Sequence, residues 1–219
     1  METISIHRPK IVVIGSCNTD MVVKANRLPV PGETILGGTF YMNPGGKGAN
    51  QAIAAARLGA EVTFISKIGY DLFGLQALEI YRSEKINTEY IFTDQKSPSG
   101  VALISVDSFG ENSIIVAPGA SRSLSIEDIN KAEEKIKEAD IILMQLEIPI
   151  DTVEYAATIA CKYGKKVILN PAPASSLSNS FLMNVHTILP NRIEAEMLSG
   201  IKVMNIESAH RAAQAIGEK

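Results

Sequence analysis

The 219 residues are 46% hydrophobic and 21% charged, the balance of a globular unit able to bury a sizeable core. A formal charge of −3 offers no basic surface to nucleic acid or an anionic membrane, and no apolar run reaches the roughly 18 residues of a membrane span. Cys17 and Cys161 are too few for a disulfide framework, His7, His186 and His210 lack metal-ligand spacing, and Met1–Lys10 lacks the apolar stretch of a signal peptide; these features predict a cytoplasmic protein with reduced thiols.

Taken in chain order, Ile11–Gly15 reads as a buried strand followed by the polar run Ser16-Cys17-Asn18-Thr19-Asp20. Met21–Ala25 and Thr34–Met42 read as extended segments with no helix between them. Asn43-Pro44-Gly45-Gly46-Lys47-Gly48-Ala49-Asn50-Gln51 is a glycine-rich turn running into an Ala-rich helix, Gly48–Leu58, that stops at Gly59. A strand is predicted over Val62–Ile68, and a hairpin over Gly100–Val106 and Asn112–Ala117 with its turn at Asp107–Glu111. Ser125, three before Asp128, opens a charged helix to about Glu138. Strands follow at Asp140–Leu146, Val167–Asn170 and Thr187–Leu189. Between the first two lies a helix that Asp151 can cap, ending near Gly164; Glu194–Leu198 and Glu207–Glu218 are helical. Strands spaced by helices predict a doubly wound α/β fold on a mostly parallel sheet. The helix-free segments, within about residues 20–42 and 100–117, predict a small separate antiparallel sheet.

In open parallel sheets, ligands bind beyond the carboxyl ends of the strands. Each predicted strand delivers an amide or carboxylate there: Asn18 and Asp20, then Gln145 and Glu147, Asn170, and Asn191 with Glu194. Any single one reads more readily as a turn or cap residue; four such sites on one edge are harder to assign to caps alone. The glycine-rich turn brings backbone N–H groups and a helix N-terminus to the same edge. It is neither a P-loop, because Gly48 follows Lys47 where Ser or Thr belongs, nor a dinucleotide fingerprint. A nicotinamide oxidoreductase is therefore disfavoured.

These residues together resemble the ribokinase branch of the PfkB-type carbohydrate kinases. The resemblance rests on Asn18-Thr19-Asp20, Pro31-Gly32-Glu33-Thr34, Gly45-Gly46-Lys47-Gly48-Ala49-Asn50-Gln51-Ala52, Gly100-Val101-Ala102-Leu103-Ile104, Met144-Gln145-Leu146-Glu147, Asn170-Pro171-Ala172-Pro173-Ala174, Pro190-Asn191, Glu194-Ala195-Glu196 and Leu198-Ser199-Gly200. It implies a kinase moving the ATP γ-phosphoryl group to ribose, with the small sheet as a lid over the sugar and as the contact of a homodimer. By position it implies that Asn18, Thr19, Asp20, Gly45, Gly46, Lys47, Gly48, Ala49, Asn50 and Glu147 bind the sugar. Asn191 is placed near the nucleotide phosphates and Glu194 with Mg2+ and its waters. A monovalent cation, K+, is implied with a site in the part not represented here.

One departure bears on activity. The family's final third carries a Gly-Ala-Gly-Asp segment whose Asp is the catalytic base, and no such segment occurs here. The helical pattern Glu207–Glu218 calls for a returning strand, so the chain reads as cut short at Lys219 and inactive alone. Beyond Lys47 the sequence shows no cation near the sugar edge, which disfavours a phosphorylated-sugar substrate. Two other readings are a kinase of nucleosides or fructose and a non-catalytic sugar-binding or lid-mediated interaction protein.

Overall fold

The computed structural model describes residues 8–219. The readings made on Met1–His7, including His7 and the absence of a leader, lie outside the described residues.

Two sheets form. The larger takes β1 (Lys10–Ile14), β4 (Glu61–Gly69), β5 (Ile91–Asp94), β8 (Ile141–Met144), β9 (Lys166–Leu169) and β10 (Thr187–Ile188) in the order β10-β9-β8-β1-β4-β5, all parallel. Its central strands β1 and β8 are nearly all aliphatic because both faces are covered, and β4 buries Val62, Phe64, Ile65 and Ile68 among more polar positions. Along β1, Val12 and Ile14 point into one core and Val13 into the other. The Val13 side is covered by α1 (Lys47–Arg57) and α2 (Leu72–Ser83), through Ala49, Ala52, Ala77 and Tyr81. The Val12 side is covered by α3 (Ile126–Lys131), α4 (Glu133–Glu138) and α5 (Ile150–Lys162), through Ile129, Ile136, Val153 and Ala157. The short α6 (Asn179–Leu182) precedes β10, and α7 (Arg192–Ser199) and α8 (Ile206–Gly217) pack on each other.

The smaller sheet joins β2 (Asn18–Lys24), β3 (Thr39–Gly45), β6 (Gly100–Val106) and β7 (Asn112–Ala117) in the order β3-β2-β6-β7. It lies outside the parallel sheet, as the sequence predicts. It is mixed, however, rather than antiparallel: β2 and β6 pair in parallel, Asn18 opposite Gly100. Both strands leave the main domain at that end and run outward side by side, so only the β2–β3 and β6–β7 connections turn back.

Other expectations are corrected in detail. The strand predicted from Thr34 begins only at Thr39, because Gly37 and Gly38 have φ of 105°, outside the extended region. The helix after Ser125 is interrupted at Ala132 (φ −99°, ψ 4°), and each half buries one isoleucine, Ile129 and Ile136. Pro149, not Asp151, occupies the N-cap of α5; Asp151 lies in the first turn, where a carboxylate favours the helix dipole. Helix α2 and the four-residue edge strand β5 carry no clean periodicity and are additions to the sequence reading.

Candidate functional site

Beyond the carboxyl ends of β1 and β8, roofed by the small sheet, is a cleft of about 370 Å³. Ser16, Asn18, Lys47, Val116, Pro118, Arg122, Leu146, Glu147 and Pro173 line it. Its floor depends on glycines. Gly48 begins α1 against the end of β1: a Cβ there would lie 2.7 Å from the Ser16 nitrogen. Ala49 N–H donates to the Ser16 carbonyl at 2.9 Å, anchoring the first turn of the helix. Gly46 has φ of 89° and could not carry a Cβ, which would sit 2.9 Å from the Cys17 Cα.

Glu147 is the electrostatic centre. Its Oε2 accepts from Ser16 Oγ at 2.5 Å and from the Lys47 backbone N–H at 2.9 Å, and its Oε1 forms an ion pair with Lys47 Nζ. Burial pushes its carboxyl up, but the Lys47 and Ser16 bonds outweigh that and hold it below the usual range. Asp20 behaves oppositely. Burial, then repulsion from Glu147, push its carboxyl up, with Lys47 only partly opposing. Asp20 packs over the bare Cα of Gly45, in the space a Cβ would fill. Asn18 is buried, and its Oδ1 lies against Gly100 with no hydrogen-bond partner. A buried unpaired carbonyl costs about 1–3 kcal/mol, and a hydroxyl-bearing ligand can remove that cost. A carboxylate, a cation and an unpaired amide thus line the cleft, with the Asp20 carboxylate near enough to be repelled by Glu147, and each of these groups can pair with a hydroxyl.

The structure brings Asn18, Asp20, Gly45, Gly46, Lys47 and Glu147 together. Strand alternation turns Thr19 to the other face of the small sheet, into a separate cavity with Met42, Pro44, Gln76 and Ile80. Gly48 serves close packing, Ala49 is in the core and Asn50 is exposed on α1. Gln145, fully buried, donates to Gln51 Oε1 at 2.6 Å beneath the cleft, and Asn170 Nδ2 donates to the Leu189 carbonyl at 3.1 Å. These two strand-end amides hold the scaffold.

Asn191 and Glu194 form a capping box at the start of α7. Asn191 Oδ1 accepts from the Glu194 N–H at 2.9 Å, and Glu194 Oε2 accepts from the Asn191 N–H at 2.8 Å. Glu194 is buried and its Oε1 also takes the Asn191 side-chain amide. Among the described residues no three His, Cys, Asp or Glu side chains group as a metal site. This donor set does not fit direct coordination of a metal, whose ligands would have to displace the cap.

Arg122 carries no signal in the sequence, and it corrects the expectation that Lys47 is the only cation at this edge. It follows β7 in a 3-10 turn (Gly119–Ser123), is exposed, lines the cleft and has no ion-pair partner among the described residues. Only the tertiary path, which returns the chain from β7 to β8, puts it there.

Comparison with known proteins agrees with this geometry. The family model described as pfkB family carbohydrate kinase matches residues 8–219. The chain is 45% identical over 212 residues to the ribokinase of Haemophilus influenzae, covering 97% of this chain and 69% of that protein. It is 42% identical over 200 residues to the ribokinase of Staphylococcus aureus, covering 91% of this chain and 66% of that protein. The structure of Arabidopsis thaliana ribokinase complexed with ribose and ATP superposes with a TM-score of 0.86 at 30% identity, covering 97% of this chain and 69% of that one. The chain thus spans about two thirds of the length of these relatives. A glycine-anchored polar cleft under a small β-sheet, on a parallel sheet matched from residue 8 to residue 219, places this chain in the pfkB family of carbohydrate kinases.

Proposed function

We propose that this chain forms the sugar-binding part of a ribokinase, which transfers the γ-phosphoryl group of ATP to the hydroxymethyl oxygen of ribose. A bond forms between that oxygen and γ-phosphorus, the β–γ bridging bond breaks, ADP leaves, and the hydroxyl proton passes to a base. The carrying observation is the cleft itself, where the unpaired Asn18 Oδ1 lies beside Glu147 and Lys47; in this reading Asp20 and Glu147 accept from sugar hydroxyls, Lys47 donates, and Asn18 Oδ1 gains a partner. The small sheet excludes water from the reacting atoms. Magnesium bound with the nucleotide would neutralise charge on the phosphates. Asn191 would lie near those phosphates, and Glu194, engaged in the α7 cap, would meet the metal only through its waters. A monovalent cation, K+, belongs to the same reading, in a part of the family proteins that this chain does not span. In this reading the carboxylates described at the cleft, Asp20 and Glu147, are taken up by sugar hydroxyls and Lys47, so we assign this chain sugar binding without turnover. A cytoplasmic location follows from the ATP and ribose pools; among the described residues no helix is long and apolar enough to cross a membrane. The test is calorimetric titration with ribose, using sugars that lack one hydroxyl as comparators. Saturable binding weakened by each missing hydroxyl is expected, and no preference for ribose would overturn the reading. Arg122 supports a second reading, a sugar bearing an anionic group, which tighter binding of a phosphorylated or carboxylated sugar in that titration would favour.

The small sheet is also the proposed homodimer contact. Leu103 and Ile115 are paired across β6 and β7 and are 53% and 69% exposed; Phe40 and Met42 share their face at 58% and 44%. Such a patch on a thin sheet invites coverage by a second copy. Replacing Leu103 and Ile115 together by Lys is expected to raise the dimer dissociation constant about a hundredfold, measured by sedimentation velocity. A parent chain that stays monomeric at every concentration sinks the idea.

A further inference from the structure

The small sheet joins the main domain where β2 and β6 begin and where β3 and β7 end. The β2 and β3 junctions, at Cys17–Asn18 and Gly45–Gly46, belong to the sugar cleft. The other pair, Ser99–Gly100 and Ala117–Pro118, is held by a hydrogen-bond cluster that the proposed chemistry does not use. Asp71, the N-cap of α2, accepts from the Ser99 N–H at 2.7 Å on Oδ2, and from Ser99 Oγ at 2.7 Å and the Gly74 N–H at 2.9 Å on Oδ1. Ser99 Oγ also accepts from the Gly69 N–H at 3.0 Å, tying the end of β4 to the start of β6. Ser99 is 7% exposed. The backbones touch: a Cβ on Gly69 would strike the Ser99 nitrogen, and one on Gly119 (φ 51°) would strike the Pro98 carbonyl. That carbonyl accepts from the Ala120 N–H at 2.8 Å, zipping the two β6–β7 junctions together.

The clamp leads directly to the sugar cleft. Gly100, next to Ser99, stands opposite Asn18 in the β2–β6 register, and its bare Cα forms the wall against which Asn18 Oδ1 rests. The start of β6 thus fixes where the unpaired amide points.

We propose that Asp71 and Ser99 are positioning residues for the sugar site: the carboxylate fixes the start of β6 on the main domain, making this side of the small sheet a fixed pivot that sets Asn18 through Gly100. The opposite side, at Gly45–Gly46, is left to move with the ligand. The affinity part of this proposal rests on the ribose reading above; the pivot part does not.

Two variants separate the clamp from helix capping. Ser99→Ala removes the bridging hydroxyl, with its bonds to Asp71 and the Gly69 N–H, and leaves Asp71 on Gly74 and on the backbone N–H of residue 99, while Asp71→Ser keeps a capping oxygen on a side chain too short and too poor in acceptors to hold Ser99 as well. Amide hydrogen exchange is read on the ligand-free 219-residue chain. For both variants, protection of β6 and β7 amides is expected to fall at least about tenfold, the factor of one charge-assisted hydrogen bond, with β1 and β8 unchanged. Ribose affinity is expected to fall by a similar factor. Unchanged protection in β6 and β7, or an equal loss in β1 and β8, would overturn the pivot. Loosened strands with unaltered ribose affinity would overturn the positioning role. If the parent chain binds no ribose, the functional reading fails while the exchange data still decide the pivot.

Discussion

Purified as residues 1–219 and supplied with ribose, ATP and magnesium, the chain is expected to release ADP no faster than a sugar-free control. Phosphoryl transfer depends on positioning, on stabilising spread negative charge, and on a carboxylate that takes the proton of the attacking hydroxyl. In the structure Glu147 is engaged by protein groups, while Asp20 is left for sugar hydroxyls in the proposed reading. Glu147 is bound by Lys47 and Ser16, which keep it a weak base, and Asp20 lies over Gly45 among the groups assigned to hydroxyl binding. Glu194 is buried in the cap of α7. Loss of a general base alone lowers turnover about 10²–10⁴-fold, and loss of the groups that hold the γ-phosphate lowers it further. Turnover in the ordinary range of about 1–1000 per second would show that one of these three carboxylates is the base after all. Addition in trans of the remaining third of a homologous kinase is the complementary arm, and restored turnover there would agree with this assignment.

The second large effect concerns Asp20, where binding and stability are expected to move in opposite directions. Replacing it by Asn removes the negative acceptor of two hydroxyl bonds. Ribose affinity is expected to fall about 10- to 100-fold, since bonds to a charged acceptor contribute roughly 1.5–3 kcal/mol each. Cys17→Ser is the control: its thiol is buried in the core beside Ala49 and Tyr81, pushed up to about 11 by burial, and donates to the Lys67 carbonyl rather than lining the cleft. Stability follows from the raised carboxyl of Asp20. A carboxyl that holds its proton more tightly folded than unfolded leaves the folded state with more bound protons across the window between the two values. Stability therefore falls as pH rises from the ordinary value near 3.8 through the folded value, and stays lower above it. The amide of the D20N variant carries no charge, so that variant, free of ligand, is expected to melt higher than the parent at neutral pH and to lose the pH-dependent fall. Equal affinities of D20N and C17S for ribose, or a lower melting temperature for D20N, would place Asp20 in a purely structural role.

The sequence alone carried the fold class, because the β1 and β8 segments and the heart of β4 are covered on both faces and are dense in apolar residues, while the helices between them carry their own start and stop signals. It also carried most of the cleft. Glu147 follows a strand closely, Asn18 and Asp20 stand a few residues beyond β1 in the segment that opens β2, and Gly45–Lys47 stands at the start of a helix, so their arrival at one edge follows from parallel strands ending on the same side. Element boundaries were less legible where one torsion decides them, as at Gly37–Gly38 and Ala132. What only the tertiary structure decided was pairing and facing. The parallel β2–β6 contact joins residues 18 and 100, far apart in the chain, and no local pattern encodes it. Strand alternation sent Thr19 away from Asn18 and Asp20 although the three are consecutive. The carboxylates of Glu147 and Asp20 lie near enough to repel each other yet are pushed in opposite directions, because only one of them is hydrogen-bonded by Lys47 and Ser16. Arg122 reached the cleft, and Ser99 met Asp71, through packing of segments from different parts of the chain. Local sequence fixes which residues end a strand or begin a helix; which of those ends touch is set by long-range burial and hydrogen bonding, which a linear pattern does not contain.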